Sequence, residues 1–252
     1  MIGLDPTGRE EPQETIKINQ CQYVYIEESE VAGGTVAGID TVAVQYGHIL
    51  NSRFHDSREW CVYLKGGTSY IRVEGNEISR CGTGAVSLGN SSSFDYLIRP
   101  WIHYEANDLA FVNNLVHDVP GHSLGVFGGY NILAAYNTFY RISFDTEHPL
   151  MAIAYGGRPC SDDREYAAGN CESNQRAGGW GMSRRTDSEA EVYWIPNRNV
   201  LIYSNIFYNP TGFASHGAHF AIHGPTTPPR GSNVPSPARA DTNLRIVNNI
   251  IW

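Results

Sequence analysis

"YNILAAYNTFYRI" (residues 130–142) alternates apolar and small residues, meets an asparagine at Asn137, and then alternates again. Alternation with period two marks a half-buried strand. An asparagine fits a strand poorly and a turn well, so its place between two such runs marks a bend. The pattern recurs as YVYIEESEV from Tyr23, GHILNSRF from Gly47, YIRVEGNEI from Tyr70, LAFVNNLV from Leu109, NVLIYSNIF from Asn199 and NLRIVNNII from Asn243. Aligned on the bend, one column reads Ser29, Ser52, Asn76, Asn114, Asn137, Asn205 and Asn249. Two places later stand Val31, Phe54, Ile78, Val116, Phe139, Phe207 and Ile251, and three places before stand Ile26, Ile49, Val73, Phe111, Ala134, Ile202 and Ile246. Both flanking columns are apolar throughout, as inward-facing strand positions must be.

Successive anchors are 23, 24, 38, 23, 68 and 44 residues apart, a unit of 23 or 24 residues with insertions in three of six intervals. A period of this size means a solenoid, a propeller or an array. Propeller blades need about 40 residues and leucine-rich repeats carry their own leucine/asparagine signature, so a stack of short parallel strands remains. Asparagine at a fixed bend then has two uses: it tolerates a left-handed backbone, and its amide can bond the next asparagine above and below. Serine at the first two anchors keeps the hydrogen bond but tolerates positive φ less well, which predicts a weaker ladder there.

Composition bounds the rest. The 252 residues are 41% hydrophobic, enough for one large domain with a sizeable core. Eighteen Lys and Arg against 26 Asp and Glu leave a net charge of -8 without a basic cluster, which argues against a nucleic acid partner. No apolar run reaches the ~18 residues of a membrane helix, and residues 1–15 are polar with two prolines, unlike a signal peptide. The five cysteines are too scattered for a disulfide scaffold, and no CxxC pair suggests zinc. Cys160 and Cys171 bracket a polar loop that a disulfide could close; two unrelated thiols is the alternative.

The repeat resembles that of the right-handed parallel β-helix proteins, a superfamily including pectate lyases, other polysaccharide lyases and pectin hydrolases, and it covers the chain from Ile16 to Trp252. The resemblance implies an all-β fold: a single right-handed parallel β-helix of about seven coils across residues 1–252, with insertions near 90–108, 143–196 and 225–242. It also implies an extracellular or cell-surface location and a polysaccharide ligand. Within it, LKGGTSYIRVEGNEISRCGTG looks like the lysine-bearing coil of calcium-dependent alginate and chondroitin lyases, with Lys65 at their catalytic lysine. Those enzymes carry an RHG arginine one coil later, where this chain has Ser87 to Asn90, and glutamates before the lysine, where it has Arg58 and Trp60. Calcium is the cofactor so implied, with no evident site.

A second set of short runs ends in glycine: AVQYG, CVYLKGG, AVSLGN, LGVFGG, AIAYGG and FAIHGP. The residues before the glycine are Tyr46, Lys65, Leu88, Phe127, Tyr155 and His223, with a shift of one place open at Leu88. Pointing outward, they would form an aromatic stripe suited to a long polymer; pointing inward, they would be core, a poor place for Lys65. The expected substrate-binding residues are Tyr46, Tyr63, Phe127, Tyr155, Trp180 and His223. β-Elimination beside a uronate needs a positive group or metal for the carboxylate, a base and a proton donor. Lys65, His103, Glu105 and Arg141 are the expected catalytic residues, Lys65 serving as base or as carboxylate clamp. His55/Asp56 and His117/Asp118 occupy equivalent places two coils apart and read as repeated turn chemistry, while Asp145 with Glu147, or Asp162 with Asp163, offer paired carboxylates.

The reading is therefore an extracellular β-helix that binds an acidic polysaccharide, with lyase activity as one outcome and a non-catalytic binding or surface-display module as the other. Convergence of Lys65, His103, Glu105 and Arg141 beside the stripe separates the two. The chain ends in NNIIW inside a strand, so further chain or a partner is expected to continue the solenoid.

Overall fold

A computed structural model describes residues 12–145, 148–160, 167–184, 192–213 and 217–252. The chain winds through three parallel sheets of seven strands each, and every strand pairs with its counterpart one coil on. In the first coil the strands are β1 (Glu14–Asn19), β2 (Gln22–Glu27) and β3 (Glu30–Ala32), which begin sheets 1, 2 and 3 respectively. This is the seven-coil parallel β-helix that the repeat implies.

The anchor column sits at the corner between sheets 2 and 3. Asn76 N–H donates to Asn114 Oδ1 at 3.0 Å, Asn114 N–H to Asn137 Oδ1 at 2.9 Å, Asn137 N–H to Asn205 Oδ1 at 2.9 Å, and Asn205 N–H to Asn249 Oδ1 at 2.9 Å. Each amide also donates back to a strand carbonyl, as Asn114 Nδ2 does to Val73 O at 3.0 Å. The left-handed backbone, however, falls one residue earlier: Glu28, Asn51, Gly75, Asn113, Tyr136, Ser204 and Asn248 all have φ between 46° and 67°. The anchor turns inward to serve the ladder, so the residue before it makes the bend. At the serine end, Ser52 Oγ accepts from Ser29 N–H at 3.1 Å but donates to Leu50 O, two residues before it, so no side-chain amide reaches the coil below.

Both apolar columns are in register. Ile26, Ile49, Val73, Phe111, Ala134, Ile202 and Ile246 pair in series within sheet 2, and Val31 through Ile251 do so within sheet 3. From Ile26 to Ile202 and from Val31 to Phe207 their side chains, with Val62, Val86 and Leu124 of sheet 1, make one continuous core, while Ile246 and Ile251 of the last coil are exposed. Phe139 stacks on Phe207 at 4.7 Å between ring centroids, one of the aromatic contacts running up its axis.

The three long insertions leave the same corner, between a sheet 1 strand and the sheet 2 strand that follows. They follow the strands Gly84–Gly89, Met151–Ala154 and Phe220–Ile222. The expected insertion at 143–196 is thus divided by the strand Met151–Ala154, which completes sheet 1. The second insertion carries a helix, α1 (Asn170–Arg176). It packs on the first through Asn174 Nδ2, which donates to Phe94 O at 2.7 Å, and through Arg99, which donates to Ser173 O at 3.0 Å. Asn233 of the third insertion accepts from Gly181 N–H at 3.0 Å and donates to Gly179 O at 2.7 Å. The insertions therefore form one wall. Two disulfides brace the fold, Cys160–Cys171 inside that wall and Cys61–Cys81 within the coil, the second against the scattered-thiol expectation; Cys21 is free and exposed. No helix among the described residues is long and apolar enough to cross a membrane.

Candidate functional site

The wall rises beside the outer face of sheet 1 and makes that face a groove. One outward row runs Lys17, Asp40, Tyr63, Ser87, Gly125 and Ala152. The next begins Asn19, Val42, Lys65, resumes at Gly89, and continues through Phe127 and Ala154. Recesses open at both ends. One of about 370 Å³ is lined by Lys17, Asn19, Gln20, Val42 and Tyr96, and one of about 230 Å³ by Asn90, Phe127, Ala154, Tyr155, Tyr193 and His223. Seven strands spaced at about 4.8 Å give the groove a length of about 29 Å.

Charge concentrates at the first recess. Asp40 is buried, pairs directly with the Lys17 ammonium, and lies 3.3 Å from Lys65 Nζ; its Oδ1 makes no hydrogen bond within the protein. Glu14 also lies 3.5 Å from Lys17 Nζ, so two ammonium groups meet two carboxylates and the charges balance; Lys65, which shares Asp40 with Lys17, keeps donor capacity for an incoming anion. Lys65 Nζ also sits 3.8 Å over the Tyr63 ring. Burial, and then the charges of Asp40 and Glu105, push the Tyr63 hydroxyl well above the usual phenol range, so it remains a neutral donor. Trp60, stacked 6.0 Å from both Tyr63 and His122, floors the groove's middle with Phe127. Burial lowers the His122 pKa to about 4, and the imidazole is neutral at pH 7.

The four expected catalytic residues do not converge. Lys65 lies in the groove, held as just described. Glu105 does not: it is fully buried, accepts from Arg158 Nε at 2.9 Å and from Gly66 N–H at 3.1 Å, and is closed to a polymer. Arg158, itself 2% exposed, also donates to Ile102 O and Trp180 O at 3.2 Å, so this ion pair fastens the first and second insertions to the coil. Gly66 approaches closely enough that a Cβ there would meet Val42 and Ser92. His103 packs edge-on against Trp180 in the wall, and burial lowers its pKa. Arg141 belongs to sheet 3, where it grips Asp118 at 2.5 Å.

Of the expected binding residues, Phe127, Tyr155 and His223 line the second recess. Tyr63 lies in the groove, mostly covered, and Trp180 packs into the wall with Tyr104. Tyr46 is displaced from the stripe: it belongs to sheet 2, and Val42 takes its place in the row. Leu88 pairs with Leu64 and points into the core, and Ala154 rather than Tyr155 holds the row position. Lys17 and Asp40, which the glycine register did not reach, were signalled by the charged residues in IKIN and AGIDTV, where alternation puts them outward.

The two His–Asp pairs repeat one arrangement on sheet 3. His55 contacts Asp56 at 2.6 Å and Glu30 at 2.9 Å, while His117 contacts Asp118 at 2.6 Å and Glu77 at 3.3 Å. Arg80 and Arg141 cap the two aspartates, and these contacts hold both carboxyls below their ordinary range. This is turn chemistry repeated by the coil. Asp145 is exposed, whereas Glu147, Asp162 and Asp163 lie outside the described residues.

Calcium does not fit. Arg58 and Trp60 stand where the resemblance implies glutamates, Trp60 is buried in the aromatic floor, and no group of three or more His, Cys, Asp or Glu among the described residues is placed to hold a metal. No curated protein and no solved structure matches the chain. A family model described as the right handed beta helix region matches residues 10–158, more than half of the chain. With its three in-register sheets and asparagine ladder, the chain belongs to the right-handed β-helix family.

Proposed function

We propose that this β-helix binds an extended acidic polysaccharide along the outer face of sheet 1, as a binding site rather than a cleavage site. The observation that carries this reading is the Lys17–Asp40–Lys65 cluster, which sets two ammonium groups beside a recess in a groove about 29 Å long. In a chain of net charge -8, these two ammonium groups give an anionic sugar a local point of attraction. Phe127, Tyr155 and His223 at the far recess offer ring surfaces for sugar C–H faces, the mix of apolar walls and few polar groups typical of ligand sites. Dispersal of Lys65, Glu105 and Arg141 among ion pairs supports binding over catalysis. Two disulfides support an oxidising compartment and hence an extracellular or surface setting.

One observation favours the lyase alternative: Lys65 and the neutral Tyr63 hydroxyl share the groove, and a base and a proton donor are what β-elimination needs. Native affinity electrophoresis in gels containing pectate, alginate or glycosaminoglycans tests binding, and ultraviolet absorbance of unsaturated uronate products tests cleavage. Retardation lost in Lys17→Ala/Lys65→Ala without any rise in absorbance is the expected result. A rise that vanishes in Lys65→Ala replaces the binding module with a lyase, and absence of retardation by every acidic polymer refutes both.

A further inference from the structure

A column outside the groove changes character halfway along the solenoid. At the start of sheet 2 every coil carries one outward residue with left-handed backbone, and strand register skips it. In the last four coils these are Asp108, Asn131, Asn199 and Asn243, types that tolerate positive φ. They form their own ladder, with Asn131 Nδ2 donating to Asp108 at 2.9 Å, Asn199 to Asn131 at 2.9 Å and Asn243 to Asn199 at 2.8 Å. In the first three coils the same position holds Tyr23, Tyr46 and Tyr70, at φ of 58°, 61° and 57°. Bulky residues are disfavoured there, and these stay exposed, at 62%, 37% and 44%. The chain thus sets aside, in three successive coils, a residue choice that it uses to advantage in the next four. Strain retained at exposed positions, where the rings pack on one another and none enters the core, points to function.

Their geometry defines a surface. The rings stack at 5.5 and 5.1 Å, so both faces of Tyr46 are occupied and the stack presents ring edges sideways. Trp101, from the first insertion, lies 6.1 Å from both Tyr46 and Tyr70 at 84° and 79°, and therefore meets those edges with its own face. Tyr23, at the end of the stack, is the most exposed of the three tyrosines, and Trp101 is half-buried. The same insertion supplies Tyr96 to the cationic recess, and Gln20 Nε2 donates to Tyr96 O at 3.1 Å, so the platform adjoins the groove. Unlike the groove, it has no lysine or arginine stacked on its rings among the described residues.

We propose that Tyr23, Tyr46, Tyr70 and Trp101 form a second glycan subsite that takes neutral pyranose units, distinct from the cationic groove. Flat aromatic faces edged by phenol hydroxyls match a sugar ring's apolar C–H face and its hydroxyl rim. Arg72 and Arg99, the cations nearest in sequence, are engaged by Glu74 and Ser173, so among the described residues no cation sits on the rings to favour a uronate over a neutral sugar. The ligand class rests on the polysaccharide reading of the groove, and the test separates the two.

Native affinity electrophoresis in galactomannan, xyloglucan and polygalacturonate is run on wild type, Tyr23→Asn/Tyr46→Asn/Tyr70→Asn, Trp101→Ala and Lys17→Ala/Lys65→Ala. The asparagine variant extends a ladder that the chain already builds, and thermal unfolding confirms that it folds. Retardation of wild type by a neutral polymer, weakened at least tenfold in the asparagine and Trp101→Ala variants but not in the lysine variant, is expected. Failure of the groove reading alone would abolish only the polygalacturonate response. No wild-type retardation by either neutral polymer, or retardation unchanged in the asparagine variant, overturns the proposal. So does sedimentation showing a wild-type dimer that the asparagine variant dissociates, since the platform would then be a contact between copies.

Discussion

Truncating one rung of the inner ladder, Asn114→Ala, tests what holds the coils in register. Asn114 is 2% exposed; its Oδ1 accepts from Asn76 N–H at 3.0 Å and Asn76 Nδ2 at 2.9 Å, and its Nδ2 donates to Val73 O and Asn137 Oδ1 at 3.0 and 3.1 Å. In the alanine variant Asn76 Nδ2 keeps Ile49 O, Asn137 Oδ1 keeps Asn114 N–H and the Val73 carbonyl keeps its place in the sheet 2 ladder, so one group is stranded, the Asn76 N–H. A buried group left unpaired costs about 1–3 kcal/mol, which sets the loss in that range. Asn113→Gly, at the exposed left-handed position with φ of 55°, should change stability by under about 0.5 kcal/mol. Asn114→Ser, which copies the serine rungs, should fall between. Equilibrium urea unfolding of the three variants measures all of this. Equal losses in Asn114→Ala and Asn113→Gly would refute the assignment of the ladder to the anchor and give it to the bend.

The remaining expectations follow from burial and charge. Ser52→Asn should extend the amide ladder by one rung and raise stability by about 0.5–1 kcal/mol in the same assay. Arg158→Met should cost about 3–5 kcal/mol because it strands the buried Glu105 charge, and Glu105→Gln/Arg158→Met should recover much of that loss, read by thermal unfolding. His122 titrates at about 4 when folded and near 6.5 when unfolded. The folded chain then binds fewer protons than the unfolded one between those values, so stability falls as pH drops from about 6.5 to about 4; His122→Gln should flatten that part of the profile while the nearby His148 remains. Asp56 and Asp118 have the carboxylate sign, with folded values below the ordinary 3.8, so their contribution is present above that pH and is lost in stronger acid. Arg80→Gln should shrink that acid-side loss, by under about 1 kcal/mol for so exposed a partner.

The inner architecture was legible because the sequence spells it locally. Anchor spacings of 23, 24, 38, 23, 68 and 44 are the separations of the residues joined along the ladder. The two apolar columns needed only period-two alternation on either side of the bend. The outer face was less legible, because glycines recur at several corners and do not by themselves say which. Tyr46 precedes Gly47 inside sheet 2, whereas Lys65 precedes Gly66 at the end of a sheet 1 strand, and aligning the two glycines merged two different corners. Glu105 resembles a loop carboxylate until Arg158 is brought to it from 53 residues away. Cys61 and Cys81 meet because one begins a coil and the other closes it, a relation set by the winding rather than by local spacing. For Lys17 and Asp40 the alternation was visible, but their convergence on Lys65 depends on stacking three coils in register.

The most direct test of the groove is calorimetric titration of wild type and Lys17→Ala/Lys65→Ala with oligogalacturonates of increasing length. Affinity that grows with length until the groove is filled, weakens with added salt, and drops at least tenfold in the double variant is the predicted result. Affinity that is the same for a single uronic acid as for a long oligomer, or is untouched by loss of both lysines, would contradict the account.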